Sequence, residues 1–143
     1  MDMFIPFAIS ASALKAQKMR LDTVASNLAN VETTSTPEGG PYKKKSVYFE
    51  TQPLSFKDTL DNSVSQRAQG VAVTKILADE SEPQKVYNPG HPDADANGYV
   101  AMPNVNVLAE MVDMMSATRS YQANVTVIKS AKRMALKALE IGG

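Results

Sequence analysis

Apolar and polar residues alternate with two different periods along this chain, and the change of period divides it into three parts. From about Phe4 to Val31, Phe7, Leu14, Leu21 and Leu28 recur every seven residues. Ala11 and Ala25 fill positions between them, Val24 and Val31 widen the stripe, and Lys18 interrupts it. Lys15, Arg20, Asp22, Ser26 and Asn27 take the opposite face. Sustained over about three to four repeats, this is the spacing of a coiled-coil seam. It predicts a helix that stops near Glu32, ahead of the Thr33-Thr34-Ser35-Thr36-Pro37 and Gly39-Gly40-Pro41 breakers.

The stretch from Pro103 to Gly143 has no further proline, and its only glycines are the closing Gly142 and Gly143. Val107, Met111, Met114, Tyr121, Val125, Ile128, Ala135 and Leu139 follow alternating three- and four-residue steps, with Thr118 and Lys132 as interruptions. The pattern predicts a second long helix, started by Pro103 with Asn104 or Asn106 and stopped by the glycine pair. Such a helix would be about 55 Å long. A compact chain of this size has a radius of gyration of only about 15 Å, so the remaining residues cannot wrap it. A further stripe of Val127, Ala131, Met134, Ala138 and Ile141 makes the helix apolar on more than one side beyond Tyr121. Its cover therefore includes neighbours from other subunits.

The period changes to two between the helices. Tyr42–Glu50, Gly70–Leu77 and Lys85–Tyr87 read as strands, and Gly98–Met102 leads back extended into the final helix. Phe56–Leu60 reads as a short helical turn or a loop. The fold class expected is α+β: two long terminal helices paired as an antiparallel coiled coil around a small, mainly β insertion. The divisions fall at 1–33, 34–102 and 103–143.

Composition narrows the function. Lys plus Arg total 15 and Asp plus Glu total 15, so net charge gives no reason to expect a nucleic-acid partner. There is no cysteine, which removes disulfides and thiol chemistry. Aromatic residues are 6% and tryptophan is absent, thin for a self-contained core, while eight methionines suit adaptable packing. Asp2 precedes the apolar residues 3–9 and no Lys or Arg comes before Lys15, which argues against a cleavable secretory signal. No apolar run approaches the length of a membrane span, so direct insertion is not expected.

Candidate chemistry is sparse. His91 is the only histidine, and with Asp93 and Asp95 it forms an HPDAD loop. Its spacing fits neither an EF-hand nor a zincin helix, and a proline-set turn whose aspartates cap backbone amides accounts for it. There is no GxSxG elbow, GxGxxG or P-loop. No catalytic group, metal or cofactor is expected. Lys43-Lys44-Lys45 reads either as a contact to phosphate or an acidic partner, or as a solvated strand edge. Asn27 and Asn30, with Thr33 and Thr34, read either as a fraying helix end or as amides buried at a helix–helix contact, where they would set its register. From Arg119 to Lys137 the last helix carries Arg119, Lys129, Lys132, Arg133 and Lys137 and no acid. The last two suit a helix C-terminus, and the others need an aqueous or acidic neighbour.

Ala25-Ser26-Asn27-Leu28-Ala29-Asn30-Val31-Glu32-Thr33 resembles the N-terminal signature of the flagellar rod and hook family. Gly98–Val107, Glu110-Met111-Val112, Ala117–Asn124, Pro41–Lys45 and Tyr87–Asp95 look like its proximal-rod members in particular. The resemblance spans nearly the whole chain and is weakest over residues 52–70. It implies Asn27, Asn30, Thr33, Pro103, Asn104, Arg119, Tyr121 and Asn124 as family-motif positions. It implies a structural subunit of the basal-body rod, required for motility, transmitting torque across the periplasm and forming part of the export tube. Export would use the flagellar type III apparatus. Partners would be further copies, other rod proteins and the junction protein at the base of the rod. Packing between helices and subunits would involve Phe7, Leu14, Leu21, Leu28, Met111, Met114, Tyr121, Val125, Ile128, Met134 and Leu139, with Lys129 and Lys132 facing the channel. Before assembly, both terminal helices would be largely disordered. A soluble coiled-coil adaptor is the main alternative and predicts a discrete dimer; a His91-based enzyme or metal protein is more remote.

Overall fold

The computed structural model describes residues 4–53 and 69–141. Helix α1 (Phe4–Ala29) is followed by strands β1 (Lys45–Pro53), β2 (Gln69–Ala78), β3 (Gln84–Tyr87) and β4 (Tyr99–Met102), then helix α2 (Val107–Ile141). The architecture is α+β, two terminal helices with a small antiparallel β insertion. The turn expected around Phe56–Leu60 and the stop at Gly142–Gly143 lie outside the described residues.

Each helix boundary has a local cause. Pro6 sits in the first turn of α1, where its missing N–H is not needed. The helix ends at Ala29, earlier than the hydrophobic stripe suggests; the Ser26 carbonyl there accepts both the Asn30 N–H at 3.2 Å and the Asn30 side-chain amide at 2.8 Å. Helix α2 starts at Val107. Asn106 caps it, its Oδ1 accepting the Ala109 N–H at 3.1 Å. Pro103 and Asn104 belong to the approach: Pro103 is buried, while Asn104 accepts from Gln84 and donates to Ser81.

The two helices lie side by side and antiparallel. Asn27, near the end of α1, meets Glu110 near the start of α2, and Arg20, earlier in α1, meets Asp113, later in α2. The β1–β2 hairpin pairs antiparallel from Lys45↔Ala78 to Pro53↔Gln69, with a register shift between Tyr48 and Phe49. It lies along α1 and is not held away from it: Val71 donates its N–H to the Ser12 hydroxyl at 3.0 Å. Strands β3 and β4 form a second antiparallel pair from Gln84↔Met102 to Tyr87↔Tyr99.

Because α1 touches both α2 and the hairpin, its burial is spread around the helix. Ser10, Ala16, Thr23, Val24 and Asn27 are the buried positions. Phe7, Leu14, Leu21 and Leu28 are only half-buried, and Ala11, Lys18 and Ala25 are exposed. In α2 the inward line includes Glu110, Met114, Ala117, Tyr121, Asn124, Ile128, Ala131 and Ala135. It shares Met114, Tyr121, Ile128 and Ala135 with the hydrophobic pattern. Between them it turns Glu110, Ala117 and Ala131 inward where the pattern selects Met111, Thr118 and Lys132. The helix is rolled by roughly half the angular step of one residue, about 50°. Ala117 and Ala131 are the small side chains buried there, and Glu110 turns inward to Asn27 on α1 and to Lys44 just before β1.

Candidate assembly site

The most constrained point of the molecule is polar. Asn27 is 1% exposed, and every hydrogen-bonding position of its amide is used. Its Nδ2 donates to the Lys45 carbonyl at 2.8 Å and to Glu110 Oε2 at 3.0 Å. Its Oδ1 accepts the Tyr42 hydroxyl at 3.0 Å and the Lys45 N–H at 2.9 Å. Glu110 is 4% exposed and is held from its other side by the Lys44 ammonium, 2.7 Å from Oε1. Beside this group Arg20 forks onto the Asp113 carboxylate, its Nε donating to Oδ2 at 3.1 Å. One asparagine thus joins α1, the start of β1 and α2.

An open cleft of about 600 Å³ lies over α1 between β1 and α2. Val47, Phe49 and Val112 supply its apolar walls, and Arg20, Lys44, Glu110 and Asp113 its charges. Those four charges are paired with one another, while Lys45, which also lines the cleft, has no ion-pair partner among the described residues.

The residues expected to matter separate into distinct places. Asn27 lies in the buried junction. Asn30 closes α1, its Oδ1 accepting the Thr33 hydroxyl at 3.2 Å. Thr34 reaches across to the loop before β4, donating to Asp93 Oδ2 at 2.7 Å. Asn124 turns back on its own helix, donating to the Ser120 carbonyl at 2.8 Å. Met114, Tyr121, Val125 and Ile128 are half-buried on or beside the inward line, while Met111, Arg119, Lys129, Lys132, Met134 and Leu139 are exposed. Tyr42, Lys44 and Glu110 complete the junction without having stood out individually. The signal available for them was the basic triplet beside a tyrosine and a lone acid on the apolar side of a helix.

In the HPDAD loop, His91 Nδ1 accepts the Asp93 N–H at 3.1 Å. Asp95 Oδ1 accepts the N–H groups of Asn97 at 2.8 Å and Tyr99 at 2.9 Å. These bonds build a turn. At the β2–β3 connection the Ser81 N–H and hydroxyl, helped by the Lys44 charge, hold the Asp79 carboxyl below the usual carboxylate range despite some desolvation.

The solvent side of α2 changes character along its length. Leu108 is 75% exposed, and Met111, Val112 and Met115 share its half of the helix uncovered. The far half exposes Lys129, Lys132, Arg133 and Lys137 together with Val127, Met134, Leu136 and Leu139, the last 73% exposed. At 35 residues against 26, α2 also outruns α1. Exposed apolar surface of this extent marks an interaction face.

Two family models match the chain. That for flagella basal body rod proteins covers residues 7–35, and that for the C-terminal part of the flagellar basal body rod FlgEFG proteins covers residues 96–141. The chain is 47% identical to the flagellar basal-body rod protein FlgC of Bacillus subtilis, aligned over 99% of each chain. It is 46% identical to the protein of that name from Salmonella typhimurium, over 95% of each. With the one from Borreliella burgdorferi it shares 41% identity, over 99% of this chain and 98% of the relative. The two family models together take in all of α2 and all of α1 but its first three residues.

Proposed function

From the premise that this chain belongs to the FlgC family of flagellar basal-body rod proteins, we propose how its helices build the rod. It is a structural subunit of the flagellar rod, and it assembles with other basal-body rod components. In our reading residues 1–33 and 103–143 pair as the inner coiled-coil part of a tube, and residues 34–102 lie outside it. The observation that carries this is α2, whose Leu108 and Leu139 ends stay uncovered among the described residues. Further copies, other rod proteins and the junction protein at the base of the rod cover those faces. Contacts between unlike surfaces give a helical assembly when their rotation does not close into a ring.

The subunit occupies the proximal rod, crosses the periplasm with it and is delivered by the flagellar type III apparatus. Torque passes from subunit to subunit through packing, so no catalytic group is required. On this reading Lys129 and Lys132 face water in the export channel. The test is complementation: a bacterium lacking its own FlgC should regain rods and swimming when it makes this chain. Normal amounts of folded protein with no rods would overturn the proposal.

A further inference from the structure

Asn97 is followed by Gly98, and no other asparagine of the chain precedes glycine. The others precede leucine, valine, serine or proline. The difference is chemical. A backbone nitrogen can attack the side-chain carbonyl of the asparagine before it, and a side chain on the attacking residue crowds that approach. Gly98 brings no Cβ, whereas leucine and valine bring branched ones and proline has no N–H. Asn97 is exposed in the turn leading into β4, and among the described residues its side chain makes no hydrogen bond. Its amide is free to meet the nitrogen beside it. The glycine itself is fixed by the turn, with φ +80° and Tyr87 Cε2 only 2.9 Å from where a Cβ would stand.

The fold restrains the same nitrogen. The Gly98 N–H donates to the Asp95 carbonyl at 2.9 Å. Asp95 Oδ1 accepts the N–H groups on either side, from Asn97 at 2.8 Å and Tyr99 at 2.9 Å. The Asp95 N–H donates in turn to the Tyr99 carbonyl at 2.8 Å. Attack requires the Gly98 nitrogen to lose its proton and swing towards the Asn97 side chain, so its bond to Asp95 must break first. With Asp95 holding the segment from both sides, that step waits on a local opening of the turn.

We propose that Asn97 is a site of spontaneous deamidation, and that Asp95 is the positioning residue that suppresses it while the turn is folded. The Gly98 nitrogen bonds to Asn97 Cγ and the Cγ–Nδ2 bond breaks. The departing amide nitrogen takes the Gly98 proton and leaves as ammonia. Water then opens the resulting succinimide. Addition at the side-chain carbonyl gives aspartate. Addition at the main-chain carbonyl gives isoaspartate, with one more methylene in the backbone. That methylene lengthens the path from Asp95 to Tyr99, so the Asp95 carboxylate no longer spans both N–H groups. Either product adds a negative charge beside Asp93 and Asp95. Chains that wait unfolded collect this change, and closure of the turn arrests it. Nothing in this depends on the rod reading.

Peptide mass spectrometry tests it. The full chain is held in mildly alkaline buffer, with and without urea, and the peptide containing Asn97 is followed for the mass gain of an amide becoming an acid. Fragmentation separates isoaspartate from aspartate. In urea Asn97 should convert faster than any other asparagine of the chain. In buffer, with the Tyr87 and Tyr99 ring signals showing the turn formed, it should convert at least about tenfold more slowly. Asp95→Ala should bring the rate in buffer close to the rate in urea while leaving the rate in urea unchanged. Asp95→Asn keeps an acceptor oxygen and should stay slow. Asn97→Gln should remain unmodified, since its longer side chain closes a less favourable ring. Slow conversion of Asn97 in urea, equal rates for the unaltered chain in buffer and urea, or an Asp95→Ala protein as slow in buffer as the parent would each overturn the proposal. The first two need no variant, so loss of folding in Asp95→Ala does not shelter it.

Discussion

Asn27 shows how one side chain specifies this fold. A leucine there would keep the helix and add apolar volume. It would also leave the Lys45 N–H and carbonyl, the Tyr42 hydroxyl and one Glu110 oxygen without the partner they now have. A buried group left without its hydrogen bond costs about 1–3 kcal/mol, and more when it is charged. Asn27→Leu is therefore expected to destabilise the folded chain by roughly 3 kcal/mol or more, read as a fall in the midpoint of urea denaturation. Asn27→Asp should be no better, because it sets a second carboxylate against Glu110. An unchanged midpoint in both variants would show that the junction is not what fixes the pairing. The sequence offered Asn27 as a residue able to set a helix register. It could not supply Tyr42 or Lys44, which reach it only through the chain reversal between α1 and β1. Glu110 was equally hidden, since an acid at a helix start reads as a favourable charge for the helix dipole.

The elements themselves were legible because each carries its own period and its own stops. All four strands coincide with stretches that alternate or follow turn residues, and Asn106 marks the start of α2 as a capping residue should. The facing of the helices was less legible. Hydrophobic periodicity selects the largest apolar side chains, but close packing selects small ones, so Ala117, at 0% exposure, was passed over for its neighbours. Burial of α1 on two sides cannot be inferred from a single stripe either, because it depends on where the hairpin folds. The β3–β4 hairpin depends on one backbone conformation. Gly98 has φ +80°, and a Cβ there would lie 2.9 Å from Tyr87 Cε2 and 3.2 Å from Pro89 Cβ. Tyr87 in turn packs edge-to-face on Tyr99, with centroids 5.4 Å apart. Gly98→Ala should cost about 1–3 kcal/mol and disperse the Tyr87 and Tyr99 ring signals in an NMR spectrum; an unaltered spectrum would show that the turn relaxes around the methyl group.

At the scale of the whole molecule, the two ends of α2 differ in what holds them. Near its start the helix is tied to α1 and to Lys44, just before β1, through Glu110 and Asp113. Near its end it runs beyond α1, and Met134, Leu136 and Leu139 are exposed there. A short helical segment without tertiary contacts is marginal in water. The expectation that both terminal helices are disordered before assembly therefore narrows to this overhang. In dilute solution, amides from about Met134 onward should exchange with deuterium far faster than those between Glu110 and Ile128. In the assembled state that difference should shrink, because the neighbour that covers Leu136 and Leu139 also holds the backbone in place. Export and assembly make opposite demands on such a helix, one favouring a chain that opens easily and the other a rigid contact. An end that orders only on docking meets both, and uniform protection along α2 in the dilute chain would remove that account.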